Sequence, residues 1–440
     1  MWLFLPVLLF VFYIPQIFAG ILKFDNLPSY SLAGVIVLGL LTYVLAYHVL
    51  ALYFTFRVKN RELLNKFEIN SEFAIYAISL GYFILMAYAL TTSEKIALWE
   101  ALKGSSVDDL AFAREALFKS RLGWERGLIY ANAIFSSALM PFALAVCYIE
   151  KKAYRHILLV AFAVSLTPTL EKALILKALF PLIFLGLNGF FPRRRVLQIA
   201  LVAIVIVAVT IISSKMGQAD YLAQNDVKIK SLQEQKVAIL KANVDIENQL
   251  VVESSARDAE FNNLQKQLDY HLWVGTVLRK YNVFGDGQWQ YVVNRIFWIP
   301  YVTAFDWLGY FYEKLNGIHL HGRTSAVLSK LGGNEPFPME NEVFKYQFGE
   351  TGPKTAAANA TFLVDAFVNF GWAGVVVYAG LFALVTWVVM AQANPAMQAC
   401  YYYFALQVSM GGLSGVLFSN GLILLICLAF FIRPKQSLIA

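Results

Sequence analysis

Long apolar blocks, separated by shorter polar stretches, dominate this chain. Eight blocks have nearly continuous apolar character: residues 2–22, 31–56, 72–91, 128–149, 157–170, 173–191, 196–213 and 359–390. An apolar run of about 20 residues is long enough to cross the hydrocarbon core of a bilayer as a helix. The pattern therefore predicts an all-α polytopic membrane protein.

A ninth apolar region, residues 400–432, is too long for one plain span. Its glycines favour a hairpin of two short helices; they are Gly411, Gly412, Gly415 and Gly421. The total is then about ten transmembrane helices. We expect helices 1–7 within residues 1–213, with a polar outer segment at 92–127, and helices 8–10 within residues 359–440.

Polar residues mark the start of the eighth block. Asn359, Asp365 and Asn369 precede its uncharged second half. Polar side chains in a membrane helix usually face the protein interior or a water-filled cavity. We therefore expect a polar mouth where this helix begins.

Basic clusters follow the second, fourth and sixth blocks. They are Arg57, Lys59, Arg61 and Lys66; Lys151, Lys152 and Arg155; and Arg193, Arg194 and Arg195. Because Lys and Arg are enriched in cytoplasmic loops, both termini are predicted to be cytoplasmic. The long region 214–358 is then predicted to be extracytoplasmic.

That extracytoplasmic region has three parts. Residues 222–278 are polar with apolar positions at helical spacing, which favours a helical hairpin that pairs with itself over a partner-binding coiled coil. Residues 295–312 are rich in aromatic side chains and predict a helix at the membrane–water interface. Residues 319–358 contain repeated Gly and Pro and predict a loop.

Composition agrees with a membrane protein. The chain is 59% hydrophobic and 15% charged, against about half and a quarter in soluble domains. The net charge of +7 comes largely from clusters beside apolar blocks, so topology and anionic lipid explain it and no nucleic-acid partner is predicted. Cys147, Cys400 and Cys427 lie inside apolar runs, so we expect no disulfide.

Common soluble-enzyme motifs are missing from the sequence. There is no Walker A loop, no HExxH, no CxxC pair and no GxSxG, so ATP-driven transport by this chain alone is not predicted. His319 and His321 lie two residues apart beside Arg323, but a third metal ligand is not evident. A solvated loop is favoured over a zinc site, and no metal or cofactor is predicted.

Cationic side chains on the predicted outer side supply the candidate chemistry. They are Arg114, Arg121, Arg126, Lys172, Arg295 and Arg323. The forked donors of arginine match phosphate oxygens. Taken singly, each is better explained by a salt bridge or a lipid headgroup. Their shared side and aromatic surroundings favour an anionic amphiphile, such as a lipid-linked pyrophosphate, as the ligand.

Two stretches resemble a known family. RIFWIPYVTAFDWLGYFYEKL, from Arg295, is similar to a segment of the bacterial oligosaccharide repeat unit polymerases of the Wzy type, in which arginine precedes apolar residues, proline and aromatics. ANATFLVDAFVNFGWAGVVVYAGL, which contains Asn359, is similar to the polar helix mouth with Asn-Phe-Gly-x-x-Gly that follows it. SLTPTLEKALILKALF resembles the lysine-bearing segment of the family more weakly. Residues 222–278 are not part of the family pattern.

The resemblance implies a fold like that of C-type glycosyltransferases in the bacterial inner membrane. Such proteins join oligosaccharide units carried on undecaprenyl pyrophosphate at the periplasmic face. The nascent glycan leaves its carrier and is transferred to a sugar hydroxyl of the next unit, without a nucleotide sugar or an obligatory metal. Membrane lipid and a chain-length regulator are further partners that the resemblance implies.

Individual residues receive roles within that hypothesis. Arg295 is the first candidate for the pyrophosphate contact, and Asp365 and His321 are candidate general bases. The predicted substrate-binding set is Arg114, Arg121, Arg126, Lys172, Arg323 and Asn359. A hydrogen bond with Asn369 at the helix mouth explains Asp365 equally well. Gly371 and Gly374 are expected to let helices approach closely.

Three other functions remain open. A ligase that moves finished polysaccharide from the same carrier to another acceptor would show the same arginines. A flippase or secondary transporter would show discontinuous helices with paired charges at the bilayer midplane and internal two-fold repetition, neither of which is evident in the sequence. A scaffold protein that uses residues 222–278 would make the outer arginines dispensable.

Overall fold

The computed structural model describes residues 1–53, 69–103, 107–169, 174–190, 226–238, 261–269, 288–348 and 357–434, with a few single positions between them. This part of the chain is helical and contains no strand. Its first nine α-helices are α1 (Phe4–Phe24), α2 (Leu27–Tyr53), α3 (Ser71–Thr92), α4 (Ala97–Leu102), α5 (Val107–Phe118), α6 (Gly127–Ile134), α7 (Met140–Ile149), α8 (Arg155–Leu166) and α9 (Leu174–Leu187).

The second half continues with α10 (Gln288–Val293), α11 (Ile299–Glu313), α12 (Ala326–Leu331), α13 (Met339–Phe348), α14 (Phe362–Ala391), α15 (Pro395–Met410) and α16 (Leu422–Phe431). Three π-helical turns interrupt or join these helices: Phe135–Leu139, Asn294–Trp298 and Gly415–Ser419. Short 3-10 helices lie at Gly123–Arg126 and Thr167–Thr169.

Five helical segments among the described residues are long and apolar enough to cross a membrane. They are Phe4–Phe24, Leu27–Tyr53, Ser71–Thr92, Gly123–Ile149 and Phe362–Ala391. The all-helical membrane class is thus supported, whereas ten spans are not confirmed within the described residues. The predicted seventh helix, residues 196–213, lies outside the described part of the chain apart from single positions.

The other apolar blocks form shorter helices within the described residues. α8 has 12 residues, α9 has 14, α15 has 16 and α16 has 10. At about 1.5 Å per residue these helices are roughly 15–24 Å long, against a hydrocarbon core of about 30 Å. They are paired in sequence as α8–α9 and α15–α16.

The predicted glycine hairpin at residues 400–432 is present. Its first helix, α15, ends at Gly411, and Gly421 at φ 81° precedes α16. The Asn394 side chain at the start of α15 donates to the carbonyl of Ile432 at 2.9 Å, just past the end of α16. The two helices are therefore antiparallel.

Basic residues gather at one end of the helix bundle, which we name the basic end. There the amide of Ile69 donates to the carbonyl of Phe431 at 2.9 Å, and Lys152 pairs with Glu72 at 3.5 Å. Lys151 and Arg433 adjoin these contacts in sequence. The opposite end carries the end of α1, the start of α2 and the end of α3, and we name it the cavity end.

The aromatic segment that was expected at the membrane interface packs along α1 instead. The ring of Phe297 lies 6.4 Å from that of Phe12, in the middle of α1, and Phe305 stacks on Phe24 at 4.8 Å. Tyr301, between them, is fully buried. Residues 297–305 thus run beside the half of α1 that leads to the cavity end, so the segment reaches the depth of the middle of α1.

Only parts of the predicted outer hairpin, residues 222–278, are described. Residues 226–238 and 261–269 are both helical. Lys236 hydrogen-bonds to Gln265 and lies 4.9 Å from the ring centre of Phe261, so the two described stretches contact each other. This contact agrees with a hairpin that pairs with itself.

Candidate functional site

The helix with the polar mouth, α14, is broken near its start. Gly371 has φ 63° and ψ −152°, a conformation that is essentially restricted to glycine. The short first part, residues 362–370, is almost completely buried, and the second part continues as the membrane span. A Cβ on Gly374 would lie 2.4 Å from the carbonyl oxygen of Ala366. The two parts therefore approach so closely that only glycine fits.

A loop satisfies the backbone groups that this break exposes. The amides of Leu320 and His321 donate to the carbonyls of Val368 and Asn369, at 3.1 and 2.9 Å. The His319 ring stacks on Phe311, with centroids 5.2 Å apart, and would lie 3.1 Å from a Cβ on Gly371. The break is thus built into the fold, with the HLHGR loop as its cap.

The same loop holds the carboxyl group of Asp365. The hydroxyl of Thr324 donates to Oδ1 of Asp365 at 2.7 Å, and the amide of Asn369 donates to that oxygen at 3.0 Å. The side-chain oxygen of Asn369 accepts from the backbone amide of Gly322 at 2.9 Å. Asp365 is 4% exposed. The predicted contact between Asp365 and Asn369 is confirmed, and it orients the carboxyl group.

Asp365 lines a cavity of about 710 Å³ at the cavity end, within the size range of small-molecule sites. Residues from five regions form its wall: Tyr130 of α6, Trp307 of α11, residues 324–327 and Lys330 around α12, residues 337–341 before and within α13, and Gly412, Ser414, Gly415, Phe418 and Ser419 between α15 and α16. The last group is the tip of the short α15–α16 hairpin. Because α15 and α16 are joined below the surface of the bundle, the volume above their connection is open and forms the cavity.

Glu340, in the first turn of α13, contributes a second carboxyl group to the same cavity. Glu340 is exposed by the surface area of the whole residue, whereas protein atoms are dense around its carboxyl group. This burial raises the pKa of Glu340 to about 7; the Asp365 carboxylate raises it too, and Lys119 lowers it. A carboxyl that titrates near neutral pH is suited to act as a general base.

One cationic side chain lines the cavity and a second lies beside one of its lining residues. Lys330 lines it and is exposed. The Arg323 guanidinium donates through Nε to the carbonyl of Glu335 at 3.1 Å and lies 5.8 Å from the ring centre of Phe337, which also lines the cavity. Arginine held in this way presents its remaining donors in a fixed direction. The site thus combines two carboxyl groups with Lys330 in its lining and Arg323 nearby.

Arg295, the first predicted pyrophosphate contact, lies apart from this cavity. It is exposed, sits in the π-helical turn Asn294–Trp298, and is not one of the residues that line the cavity. Twelve positions along the helix separate it from Trp307, which corresponds to about 18 Å. The structure therefore separates Arg295 from Asp365 instead of bringing them into one site.

Arg121 and Arg126 have different surroundings. The Arg121 guanidinium is buried, and it donates to the carbonyls of Leu117 and Ala89 and to the hydroxyl of Thr92 at 2.8–2.9 Å. It also pairs with Glu125 at 3.2 Å. Most of its donors are therefore used within the protein, so Arg121 joins the outer segment to the end of α3. Arg126 is exposed.

The remaining predicted residues divide into three groups. His321 is exposed, and its backbone caps the broken helix as described above. Asn359 faces the Glu340 carboxyl group. The side chain of Arg114 and the whole of Lys172 lie outside the described residues.

The sequence analysis did not select Glu340, Lys330, Trp307 or Tyr130. Glu340 follows Pro336 and Pro338 in a stretch that predicts a loop, and several acidic residues surround it in sequence. No sequence pattern distinguishes Glu340 from these neighbours. The groups that surround its carboxyl, Asp365 and Asn359, come from a distant part of the chain. Among the described residues, no three His, Cys, Asp or Glu side chains gather as a metal site.

Comparison of the chain with protein-family models, with curated proteins and with solved structures finds no match in any of the three. The likeness to repeat unit polymerases in two segments therefore stays an expectation from the sequence.

Proposed function

We propose that this chain is a membrane glycosyltransferase that polymerises lipid-linked oligosaccharide repeat units. The observation that carries the proposal is the cavity at the cavity end, which is lined by the carboxyl groups of Asp365 and Glu340 and by Lys330, with Arg323 against the ring of the lining residue Phe337. Aromatic surfaces of Trp307, Tyr130 and Phe337 line the same space. Glycan recognition needs such a combination of apolar surface and hydrogen-bonding groups.

The depth of the cavity supports a substrate that stays in the lipid. α15 begins at the basic end and is about 24 Å long, so the hairpin tip under the cavity lies below the surface of a core about 30 Å thick. A headgroup on a polyprenyl carrier could enter such a depression while its tail remains between lipid chains. We infer that the cavity opens to the outer leaflet.

The proposed reaction follows from the placement of these charges. Glu340, ionised, accepts the proton of an acceptor sugar hydroxyl, and the hydroxyl oxygen bonds to the anomeric carbon of the donor glycan. The bond between that carbon and the pyrophosphate oxygen breaks, and undecaprenyl pyrophosphate leaves with the electron pair. Arg323 and Lys330 stabilise the charge that develops on the leaving group. Binding of the two substrates side by side supplies proximity.

Arg295 has a separate part in the proposal. Its neighbour Phe297 packs beside the middle of α1, so Arg295 lies at membrane depth if α1 spans the bilayer. An exposed cation there is costly unless it meets an anionic group or water. We infer that Arg295 contacts the phosphates of a carrier lipid outside the cavity, before or after the transfer.

The location is proposed on the same grounds. The basic end would face the cytoplasm of a bacterial inner membrane, with both termini there, and the cavity would face the periplasm. Lipid-linked units, membrane lipid and a chain-length regulator would be the partners.

One observation favours the transporter alternative, namely the broken helix α14. Transporters use discontinuous helices whose free backbone ends bind substrate near the midplane. In this chain the carbonyls of Val368 and Asn369 at the break are already satisfied by the loop, so these two backbone acceptors are not available to a substrate. The polymerase or the related ligase is therefore preferred.

The test is the glycan profile of source cells that lack this chain and are complemented with variants. Complementation with the intact chain should give a ladder of polymer lengths. Glu340→Gln and Arg323→Ala should leave the chain inserted and abundant while polymer disappears and single-repeat product accumulates. Glu342→Gln on the same helix, which points outside the cavity and pairs with Lys345, and Arg155→Ala at the basic end are the matched controls.

The outcomes separate the candidate functions. Loss of the ladder with one repeat retained indicates a polymerase, and loss of all surface glycan with lipid-linked polymer retained indicates a ligase. Accumulation of units on the cytoplasmic side indicates a flippase. Normal chain lengths in Glu340→Gln and Arg323→Ala would remove the proposed mechanism, and normal lengths in Arg295→Ala would remove the carrier contact.

A further inference from the structure

The segment that leads into α14, the helix of Asp365, lies against the first turn of α13, which carries Glu340. The amide of Ala358 donates to the backbone carbonyl of Glu340 at 2.9 Å. The indole of Trp307 donates to the carbonyl of Ala358 at 2.7 Å, in a buried position. Ala358 is therefore fixed from two sides, which determines where the next residue, Asn359, can point.

Asn359 points at the carboxyl group of Glu340. With its amide nitrogen toward that group, the nitrogen lies 3.1 Å from Oε1 and 3.0 Å from Oε2. The opposite orientation would place the amide oxygen against the carboxylate and would be repulsive. A donor shared between both oxygens matches an ionised carboxylate, since a protonated carboxyl has one acceptor fewer.

Other groups around Glu340 act in both directions. The Asp365 carboxylate on α14 raises the pKa of Glu340, Lys119 after α5 lowers it, and Lys330 on α12 lines the same cavity. The Tyr130 phenol also lines the cavity. Apart from the cations, Asn359 is the group in direct contact that favours the charged form, because hydrogen bonds to a carboxylate stabilise it.

We propose that Asn359 is a positioning residue that holds the Glu340 carboxyl group ionised and turned into the cavity. The sequence predicted Asn359 as a substrate contact, and the geometry assigns it to the base instead. The inference rests on the proposed function for the role of Glu340 in transfer. The contact between Asn359 and Glu340 can be tested without that role.

The pH dependence of stability gives the first readout. Because the pKa of Glu340 is raised from 4.5 to about 7, the folded chain retains this proton over a range in which the unfolded chain has lost it. The associated stability is fully present below about pH 4.5 and is lost as the pH rises through about 7. Burial, Asp365 and Lys119 account for this value, and the amide of Asn359 acts against the rise. Without that amide the pKa is higher than in the intact chain, so the loss extends to higher pH.

The experiment measures the melting temperature of the purified chain in lipid nanodiscs between pH 4 and 9. Asn359→Ala should move the midpoint of the pH-dependent loss upward by about one pH unit. Asn359→Asp, which keeps the shape of the side chain and adds a negative charge, should move it further. In the Glu340→Gln background neither Asn359 substitution should move the midpoint of the pH-dependent loss. Asn334→Ala, in an exposed loop, is the control and should leave that midpoint unchanged in the intact chain.

Polymerising activity gives the second readout. The activity of the intact chain should rise with pH to a plateau above about 7, and Asn359→Ala should shift this rise by the same amount as the midpoint of stability. If both Asn359 variants lowered the melting temperature equally at every pH, without moving the midpoint of its pH dependence, the inference would be overturned. Asn359 would then have a structural role only. A different result would be unchanged polymerising activity in Glu340→Gln together with the expected midpoint shift of Asn359→Ala in the otherwise intact chain. That result would refute Glu340 as the base and leave the contact between Asn359 and Glu340 established.

Discussion

Arg121 and Arg126 look alike in the sequence, yet the fold gives them different partners. The sequence places both in a polar outer segment, where either could bind phosphate. In the structure Arg121 donates to two carbonyls and a hydroxyl at the end of α3, whereas Arg126 is exposed. Donors that are already satisfied and buried are poor ligands for a substrate, so the role of a single arginine depends on contacts that span about thirty residues of chain.

This difference gives a prediction at the residue scale. Arg121→Met should loosen residues 93–126 from the bundle, because hydrogen bonds to charged groups contribute about 1.5–3 kcal/mol each. We expect faster hydrogen exchange in that segment, a lower melting temperature and an intact membrane-inserted chain. Arg126→Met is the matched control and should change neither quantity. Equal exchange in the two variants would contradict the structural role of Arg121.

At the scale of elements, α14 shows how two glycines shape a helix. Gly371 takes a backbone conformation that side chains with a Cβ avoid, and Gly374 lies against the carbonyl of Ala366. The sequence predicted that these glycines allow close packing between helices. The close approach is present, but it joins two parts of one helix, and Gly371 breaks that helix. The break brings Asp365 and Asn369 into contact with the loop at 319–324.

Substitution at the break gives the prediction for this scale. Gly371→Ala should destabilise the chain by about 1–3 kcal/mol, because a strained backbone conformation costs that much and the added Cβ would press on His319. Gly380→Ala in the same helix is the control: nothing lies within 4 Å of the added Cβ, and it should be neutral or slightly stabilising. Thermal unfolding in nanodiscs measures both. Equal melting temperatures would show that α14 is continuous.

At the scale of the whole molecule, the contacts sort the chain into two ends. Ile69, Glu72, Lys152 and Phe431 meet at the basic end, whereas Trp307, Asp365 and the loop at 319–341 lie at the other. Basic residues at alternate connections predicted such a division. Of the three predicted clusters, the one at Lys151, Lys152 and Arg155 is described as a whole, and it lies at the basic end. The short α8–α9 and α15–α16 pairs were counted as spans because hydropathy records how apolar a segment is, and only the folded chain shows where each helix ends.

Cysteine labelling in whole cells tests the orientation. In a Cys427→Ser background, where the other two cysteines are buried, Asn334→Cys should react with a membrane-impermeant maleimide added outside. Lys151→Cys should react only after the membrane is opened. Both positions are exposed in the structure, so access and not burial decides the result. The reverse pattern would place the cavity in the cytoplasm and exclude the proposed periplasmic reaction.

Residues close together in sequence were enough to predict the helical membrane class, the glycine hairpin near the C-terminus and the polar mouth with Asp365 and Asn369. These follow from local rules, since hydrophobicity, glycine content and polar spacing act within one segment. Folding was needed to show that Glu340 joins Asp365 in a cavity, that Asn359 contacts Glu340 and that Arg295 lies elsewhere. Those relations depend on distances between elements far apart in the chain, and a carboxyl group acquires its ionisation behaviour from neighbours that only folding brings near it.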